Sequence, residues 1–424
     1  MNGVPQPPAV NPVKISPLAL PVKRVMPNGV SLYLIEGGEE SVVRLDILFK
    51  GGYAVQDKPL QALFAGRMLR EGGGGLTGLE ISQKLDFCGA WIDTYSSQEC
   101  NHLTLYALPK YIPALLPLVE GFVKNPAFPE ASLDTVRRNN KAHYIINSRK
   151  VDVVAQRHFE LALWGENHPL GQIVVPEDYD NITCDDLWRY YGRVYSSCNC
   201  TLFLSGCASE AVVNAVAQSF GCEAWGSGEA VKVNVAAPTM FTGKKKVAVE
   251  GVVQSAIKVG GWSLPAAAAD IYDFRFMNVL LGGYFGGRLM SNIREKNGFT
   301  YDIVSEMDAY GRENAFMVSS QADACYVEPL LRELYGEFER LRNEEPSAAE
   351  VELVRNYIMG ELCREYEGVA AKAEVFINAW LAGEEFESVN RYIAAVKKIT
   401  PARVRRVAEK YLKRENMFEI VVGE

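Results

Sequence analysis

Two segments of the chain, 215 positions apart, carry the same four residues at the same relative positions, and this recurrence constrains the fold more than any other feature. Tyr, Leu, Leu and Gly stand at relative positions 0, 4, 5 and 10 of each segment: Tyr111, Leu115, Leu116 and Gly121, then Tyr326, Leu330, Leu331 and Gly336. Both sets stand at the start of a predicted helix that follows two predicted strands. The recurrence therefore predicts two copies of one α+β unit.

The predicted elements occur in matching order around the two segments. In the first half, apolar periodicity predicts strands at 30–34, 42–50, 90–96 and 102–108 and helices at 58–70, 79–87, 111–123 and 130–163. A helix at 185–194, a strand at 201–205 and a helix at 210–220 close that half. The second half repeats the order, with strands at 246–250, 255–260, 300–307 and 315–320 and helices at 267–281, 285–295, 326–342 and 347–364.

Composition indicates where the domains begin and end. Residues 1–27 contain seven prolines and no unbroken apolar core after a basic start, so they predict an extended arm and not a secretory signal. Residues 226–242 contain Gly, Ser, Ala and Pro238 without a clear period, which is typical of a linker. The two predicted domains are therefore 28–225 and 243–424.

Charge and composition exclude two classes of protein. The net charge is −8 and no basic field covers the chain, so a dedicated nucleic-acid binder is not expected. The apolar runs are short and interrupted, so no span of ~20 residues across a membrane is predicted. Nine cysteines without a C-x-x-C pair favour reduced thiols and a cytoplasmic protein. A periplasmic location is the alternative if a signal was removed.

Several local motifs resemble one family of peptidases. They are PNGV at 27–30, FAGRML at 64–69, GGYFGGRL at 282–289 and REKNGFTY at 294–301. With the element order, they resemble the pitrilysin-type zinc peptidases, or inverzincins, which include the mitochondrial processing peptidase and the core subunits of the respiratory cytochrome bc complex. The resemblance runs from Leu20 to the end. It implies a pitrilysin/LuxS-like metallohydrolase fold of class α+β, with two homologous α/β-sandwich domains, each a mainly antiparallel sheet with helices packed on it.

The residues that would bind zinc in this family are replaced here. Active members carry H-x-x-E-H on the first helix, where two histidines hold the ion and the glutamate acts as general base. The resemblance places Leu63, Gly66 and Arg67 at those three positions, and Tyr144 at the position of the third ligand, a glutamate. Leucine has no ligand atom, glycine has no side chain and arginine stays protonated. The expectation is a degenerate zinc site, with no metal and no catalytic residue in this chain alone.

No replacement site is evident from the sequence. The four histidines, His102, His143, His158 and His168, are not spaced to share a metal ion, so we expect them on helix surfaces and in loops. Cysteine and histidine form no local signature of a nucleophilic pair. The glycines at 72–75 are followed by no Lys-Ser/Thr pair, so they predict a helix end and a tight turn, not a phosphate loop.

Arg294 and Tyr301 match an Arg/Tyr pair that holds the substrate in related peptidases. A guanidinium offers several fixed donors and a phenol adds one, so both could bind a peptide carbonyl or a developing oxyanion. The glycines within 282–287 would let a peptide backbone approach closely. The alternative is that Arg294 is a helix-surface residue and Tyr301 a strand core residue.

The resemblance implies a divided enzyme, in which one subunit carries the zinc helix and its homologue carries the Arg/Tyr pair. We therefore expect this chain to be the non-zinc subunit of a heterodimeric zinc peptidase. Its partner would be a homologous zinc-bearing subunit, and its ligand an unfolded peptide. Two alternatives remain open: a structural scaffold like the respiratory core subunits, and a homodimeric peptide-binding or chaperone-like protein. An active single-chain metalloprotease is the least favoured reading.

Overall fold

The fold is described by a computed structural model, which defines residues 13–38, 42–226, 229–233 and 243–423. Its strands, in chain order, are β1 (Val22–Val25), β2 (Ser31–Glu36), β3 (Val43–Lys50), β4 (Gly72–Gly73), β5 (Leu76–Thr77), β6 (Trp91–Ser96), β7 (Cys100–Ala107), β8 (Cys200–Gly206), β9 (Gly243–Ala248), β10 (Gln254–Trp262), β11 (Thr300–Tyr310), β12 (Glu313–Asp323) and β13 (Phe418–Gly423).

The helices cover most of the remaining described chain. They are α1 (Gln61–Met68), α2 (Gly78–Phe87), α3 (Ile112–Lys124), α4 (Glu130–Asn147), α5 (Val151–Trp164), α6 (Pro176–Asn181), α7 (Cys184–Val194), α8 (Glu210–Gly221), α9 (Ile271–Asn278), α10 (Val327–Asn343), α11 (Ala348–Glu365), α12 (Val369–Leu381), α13 (Glu387–Val396) and α14 (Pro401–Tyr411). None of these helices is both long enough and apolar enough to cross a bilayer.

The two large sheets have corresponding strand orders. The first has the order β1-β2-β8-β3-β7-β6, and the second has the order β9-β13-β10-β12-β11. The pairs β2–β8 and β9–β13 are parallel, and every other pair in the two sheets is antiparallel. If β1 is set aside, each strand of the first sheet has one counterpart in the second. The predicted α+β class, with helices on mainly antiparallel sheets, is confirmed.

Each sheet buries one face under helices of its own half of the chain. In the first half, apolar residues of α1, α3, α7 and α8 pack with those of β3, β7 and β8 in one core. In the second half, α9, α10 and α14 pack with β10 and β12. Strand β3 is buried from Val43 to Phe49 on both faces, which shows that its other face is covered too.

The second face of each sheet is covered by a helix from the opposite half. Ala155, Phe159 and Leu163 of α5 belong to the same buried cluster as Phe418 and Ile420 of β13, and the rings of Phe159 and Phe418 lie 4.7 Å apart. In the other direction, α12 packs on β2 and β8. This exchange of α5 and α12 ties the two halves together through both cores.

The structure differs from the predicted elements at several places. The predicted helix at 130–163 is two helices, because Lys150 adopts an extended conformation between them. Only Leu133 of α4 is buried, whereas α5 buries a stripe on the second sheet, so the chain has to change direction. The predicted helices at 267–281 and 285–295 contain the π-helical turns Val279–Gly283 and Met290–Lys296. The last four elements, α12, α13, α14 and β13, were not predicted.

The predicted domain boundaries stay a prediction. Residues Val22–Val25 of the predicted arm form the edge strand β1, paired with β2, and residues 1–12 lie outside the described part of the chain. Within the predicted linker, 227–228 and 234–242 also lie outside it, and 229–233 form no regular element.

Candidate functional site

Helix α1 holds three of the four positions that the resemblance assigns to a zinc site. Leu63 is half-buried, Gly66 is buried and Arg67 is exposed. A Cβ on Gly66 would lie 3.4 Å from the hydroxyl oxygen of Ser96 on β6, so the helix passes close to the sheet there. Leu63 and Arg67, one helical turn apart, therefore share one face of α1, whereas Gly66 faces the sheet.

Tyr144 of α4 is held by hydrogen bonds and ring contacts. Its hydroxyl donates to the carbonyl oxygen of Val174 and accepts a hydrogen bond of 3.2 Å from Nη1 of Arg157. The Arg157 guanidinium also lies 4.4 Å from the centre of the Tyr144 ring. Burial, and next the neighbouring Tyr144, raise the pKa of Tyr179 to about 12, while Arg157 and Arg67 act in the opposite direction. Arg67 and Tyr144 thus lie on the same side of the fold, around Tyr179.

These four residues do not fit a zinc ion. Leu63 and Gly66 offer no donor atom, Arg67 brings a permanent positive charge, and the Tyr144 hydroxyl is already bonded to Val174 and Arg157. Over the described ranges, no group of three or more His, Cys, Asp or Glu side chains is arranged to hold a metal. No step of a reaction is therefore assigned to zinc in this chain.

The expectation for the histidines is correct for three of them and wrong for one. His143 lies on α4, His158 on α5, and His168 in a turn, stacked 4.5 Å from Trp164. His102 is instead buried on β7, with its ring stacked 4.1 Å from Tyr95. Burial lowers the pKa of His102 to about 4, so this residue is neutral at pH 7.

A cavity of about 240 Å³ opens beside Leu63, toward the second sheet. Its walls combine aromatic rings, glutamine amides and one carboxyl group, and they include Tyr53, Gln56, Gln98, Glu160, Trp164 and Tyr310. Burial raises the pKa of Glu160, and a hydrogen bond of 3.0 Å from Gln156 partly offsets this effect. Glu160 brings one carboxyl group to the cavity, and α5 and β11 form the wall opposite α1.

Arg294 and Tyr301 lie together, as the resemblance implies. Arg294 is in the π-helical turn Met290–Lys296, and Tyr301 is at the start of β11. The Arg294 guanidinium lies 4.6 Å from the centre of the Phe285 ring and 5.1 Å from that of the Tyr301 ring. Phe285 is 64% exposed and Tyr301 is 83% exposed, so Tyr301 is not a strand core residue. The guanidinium is stacked between two rings that both face solvent.

A second cavity, of about 270 Å³, lies beside Tyr301. Its walls include Asp302, Asp152 of α5, and Ala256 and Lys258 of β10. Lys258 is only 8% exposed, and its ammonium group donates to Oγ of Ser319 at 2.9 Å. Sequence reasoning missed Lys258, although a lysine within the apolar strand predicted at 255–260 is the signal that could have drawn attention to it.

The structure does not bring Arg294 and Tyr301 to the degenerate zinc positions. Tyr301 lines one cavity and Leu63 the other, and β11 runs between them from Tyr301 to Tyr310. Nine residues of strand at ~3.3 Å each span roughly 30 Å. The two sets of residues therefore belong to separate sites within this chain.

Comparison with known proteins agrees with the fold and finds relatives named both as a zinc protease and as a non-peptidase homologue. Residues 181–358, which contain Arg294 and Tyr301 but not α1, match the family described as "Peptidase M16 inactive domain". A Bacillus subtilis protein named "Uncharacterized zinc protease YmxG" is 21% identical over 69% of this chain and 71% of its own length. A Helicobacter pylori protein named "Non-peptidase homolog YmxG" is 24% identical over 61% of this chain and 60% of its own length.

The fold comparison covers almost the whole chain. The crystal structure of a peptidase M16 inactive domain from Pseudomonas fluorescens superimposes with a TM-score of 0.86 and 21% identity, over 95% of this chain and 98% of that one. The likeness includes both sheets, whereas the family match begins at residue 181. These findings show that the chain has the fold of the M16, or pitrilysin-type, peptidases and is similar to their inactive domain over residues 181–358, while the residues at 63, 66, 67 and 144 lack the zinc motif.

Proposed function

We propose that this chain is the non-zinc subunit of a heterodimeric zinc peptidase, in which Arg294 and Tyr301 hold the peptide. The proposal rests on the contacts that the Arg294 guanidinium makes and on those that it lacks. Its guanidinium is positioned by the rings of Phe285 and Tyr301, and no oxygen atom among the described residues accepts a hydrogen bond from it. The side chain is thus oriented while its donors remain available to a ligand.

Two other arginines of the second half support this interpretation of Arg294. Arg288, six positions earlier, forms two hydrogen bonds of 2.7 and 2.8 Å with the carboxylate of Glu350. Arg403 is paired in the same way with the buried Asp273. These two arginines stabilise the fold, because their donors are used within the chain. Arg294 has no such carboxylate partner in the described part of the chain, which favours a role in binding.

The need for a second chain follows from the zinc positions. Leu63, Gly66, Arg67 and Tyr144 do not fit a metal, and Arg294 and Tyr301 lie at a separate site. Hydrolysis by this family therefore requires the H-x-x-E-H motif and its zinc ion from another polypeptide. A homologous partner that closes over the exposed face at Tyr301 would supply both.

The test is to purify this chain and an H-x-x-E-H homologue from the same organism and to measure cleavage of a quenched fluorescent peptide. We expect the mixture to cleave and neither chain alone to do so. Arg294→Ala should lower kcat/KM about 10- to 100-fold, because a charged donor contributes about 1.5–3 kcal/mol to a hydrogen bond. Tyr301→Ala should lower the activity more than Tyr301→Phe does, because the phenyl ring of the second variant still orients Arg294.

Lys296→Ala is the matched control, since it removes an exposed positive charge from the same π-helical turn. It should leave cleavage unchanged. A homologue that is fully active by itself would contradict the proposal. Equal activity of Arg294→Ala and Lys296→Ala would do so as well, and would favour a structural scaffold. A stable homodimer that binds peptide but joins no zinc-bearing chain would favour the chaperone-like alternative.

A further inference from the structure

We infer that the cavity beside Tyr301 is a carboxylate-binding pocket, in which Lys258 receives an acidic side chain or the C-terminal carboxylate of the bound peptide. The inference rests on the proposed function, because it assumes that a peptide lies at Arg294 and Tyr301. It adds a chemical preference to that site. It is carried by a comparison of corresponding positions in the two sheets.

Lys258 and Asp46 occupy corresponding places. Thr104 of β7 and Ser319 of β12 are 215 residues apart, which is the same separation as that between the two matched segments. Asp46 is the register partner of Thr104, and Lys258 is the register partner of Ser319. The hydroxyl of Thr104 donates to Asp46 at 2.8 Å, and Lys258 donates to the hydroxyl of Ser319 at 2.9 Å. Opposite charges thus stand at the same point of each sheet.

In the first sheet, the charge of Asp46 is neutralised within the chain. Arg44, two residues earlier on β3, lies 2.7 Å from Asp46 and 2.6 Å from Glu374 of α12. Its Nη1 also donates to the carbonyl oxygen of Ala370 at the start of α12. Arg44 is 6% exposed and Asp46 is 1% exposed. The arginine side chain therefore fills the space between the sheet and the crossing helix.

In the second sheet, the same space is open. The residue two positions before Lys258 is Ala256, which is almost fully buried and has only a methyl group where β3 has the Arg44 side chain. Helices α5 and α12 begin 218 residues apart, at Val151 and Val369, so Asp152 corresponds to Ala370. Ala256, Lys258 and Asp152 all line the cavity of about 270 Å³. The cavity thus lies where the Arg44 side chain lies in the first sheet.

Lys258 lacks the close counter-charge that Asp46 has. Among the described residues, no carboxylate lies within salt-bridge distance of its ammonium group, which contacts Ser319 and the sulfur of Met317. Burial lowers the pKa of Lys258, and the more distant Glu306, Asp308, Glu160 and Asp152 partly offset that effect. A buried ammonium group without a paired anion is costly, and a ligand carboxylate in the cavity would supply the missing charge.

The rim of the cavity limits what can enter. Asp152 and Asp302 are exposed and carry negative charge at the opening. They disfavour a phosphate dianion or a run of acidic residues, because the single positive charge of Lys258 balances only one negative charge. One carboxylate on an otherwise neutral or basic peptide fits this distribution. A volume of about 270 Å³ suits one side chain or one chain end.

The test uses the assembly proposed above, with the glutamate of the partner's H-x-x-E-H motif replaced by glutamine so that bound peptide is not cleaved. Four fluorescent peptides of one basic sequence differ only in a single Glu or Gln and in a free or amidated C-terminus. Binding is measured by fluorescence anisotropy. We expect the wild type to prefer either the Glu peptide or the free C-terminus by about 10-fold, which is about 1.4 kcal/mol. The peptide pair that shows the preference identifies the source of the carboxylate.

Lys258→Met should abolish this preference and leave the affinity for the Gln, amidated peptide unchanged. Ala256→Val keeps the lysine and narrows the cavity, so it should abolish the preference too, which covers the case in which Lys258→Met does not fold. Lys296→Met is the control and should behave as the wild type. A wild type without preference, or a preference that survives in both folded variants, would overturn the inference. Arg294→Ala should weaken all four peptides equally; if it weakens none, it is the proposed function that fails.

Discussion

The guanidinium of Arg44 and the carboxylate of Glu374 lie 2.6 Å apart and join the first sheet to a helix from the opposite half of the chain. Arg44 also neutralises Asp46, which is almost fully buried and accepts a further hydrogen bond from Thr104. Glu374 is about half exposed, so the two acids bind the same cation in very different surroundings. The cluster is a structural counterpart of the Lys258 cavity.

Arg44→Met should lower the free energy of unfolding by about 3–5 kcal/mol, because it leaves the carboxylate of Asp46 buried without a counter-charge. Glu374→Gln should cost less than about 1 kcal/mol, since solvent screens the exposed carboxylate. Urea unfolding followed by circular dichroism measures both. Arg24→Ala, which breaks an exposed ion pair with Glu210, is the control and should change little. Equal losses in all three variants would contradict the assignment of the burial cost to Asp46.

The exchange of helices makes a second prediction. Phe159 of α5 is fully buried against Phe418 of the second sheet, so Phe159→Ala should lower stability by about 3–5 kcal/mol. Ile146→Ala, on the exposed face of α4, should cost less than about 0.5 kcal/mol. If α5 instead packed loosely, thermal unfolding of the two variants would be the same.

Apolar periodicity predicted most strands and helices because each of them buries a regular face. The strand predicted at 42–50 is Val43–Lys50, and the helix predicted at 326–342 is Val327–Asn343. Periodicity does not state against which sheet a face is buried, so the crossing of α5 could not be foreseen. The predicted strand 246–250 is Gly243–Ala248, because its pairing with β13 sets its bounds and β13 was not predicted.

The candidate site, too, could be predicted from the sequence only in part. Arg294 and Tyr301 could be found from sequence because they stand in a contiguous motif, at 294–301. The Lys258 cavity could not, because its walls come from α5, β10, β11 and β12, and α5 reaches them only through the exchange of helices. Arg44 and Ala256 are unremarkable in sequence, and only their corresponding places in the two sheets relate them.

His102 gives the protein a predicted pH dependence. Burial holds its pKa at about 4 in the folded state, whereas an exposed histidine titrates near 6.5. Below pH 6.5 the unfolded chain therefore binds a proton that the folded chain does not, so His102 lowers stability as the pH falls. The loss should grow from pH 6.5 to about 4 and reach about 3 kcal/mol, after which it should level off.

The comparison of wild type with His102→Phe isolates this effect, because phenylalanine keeps a ring against Tyr95 and does not titrate. Urea unfolding at pH 7.5 and pH 4.5 should show that the wild type loses about 2–3 kcal/mol more than the variant. Parallel losses would mean that His102 is protonated in the folded state. Glu160 has a raised pKa in the folded state, so its contribution to stability increases as the pH falls. This contribution is the same in both proteins and cancels in the difference.

The degenerate zinc positions can be tested by restoring their ligands. Leu63 and Arg67 are one helical turn apart on α1, and Arg67 lies with Tyr144 around Tyr179. Leu63→His, Arg67→His and Tyr144→Glu together should therefore create a site that retains one zinc ion per chain through gel filtration, measured by elemental analysis. The wild type should retain none, because an arginine repels the cation and a leucine offers no ligand.

The double variant without Tyr144→Glu should bind zinc more weakly, since two histidines leave two positions of the tetrahedron to water. A folded triple variant that retains no zinc would show that Tyr144 does not stand at the place of the third ligand.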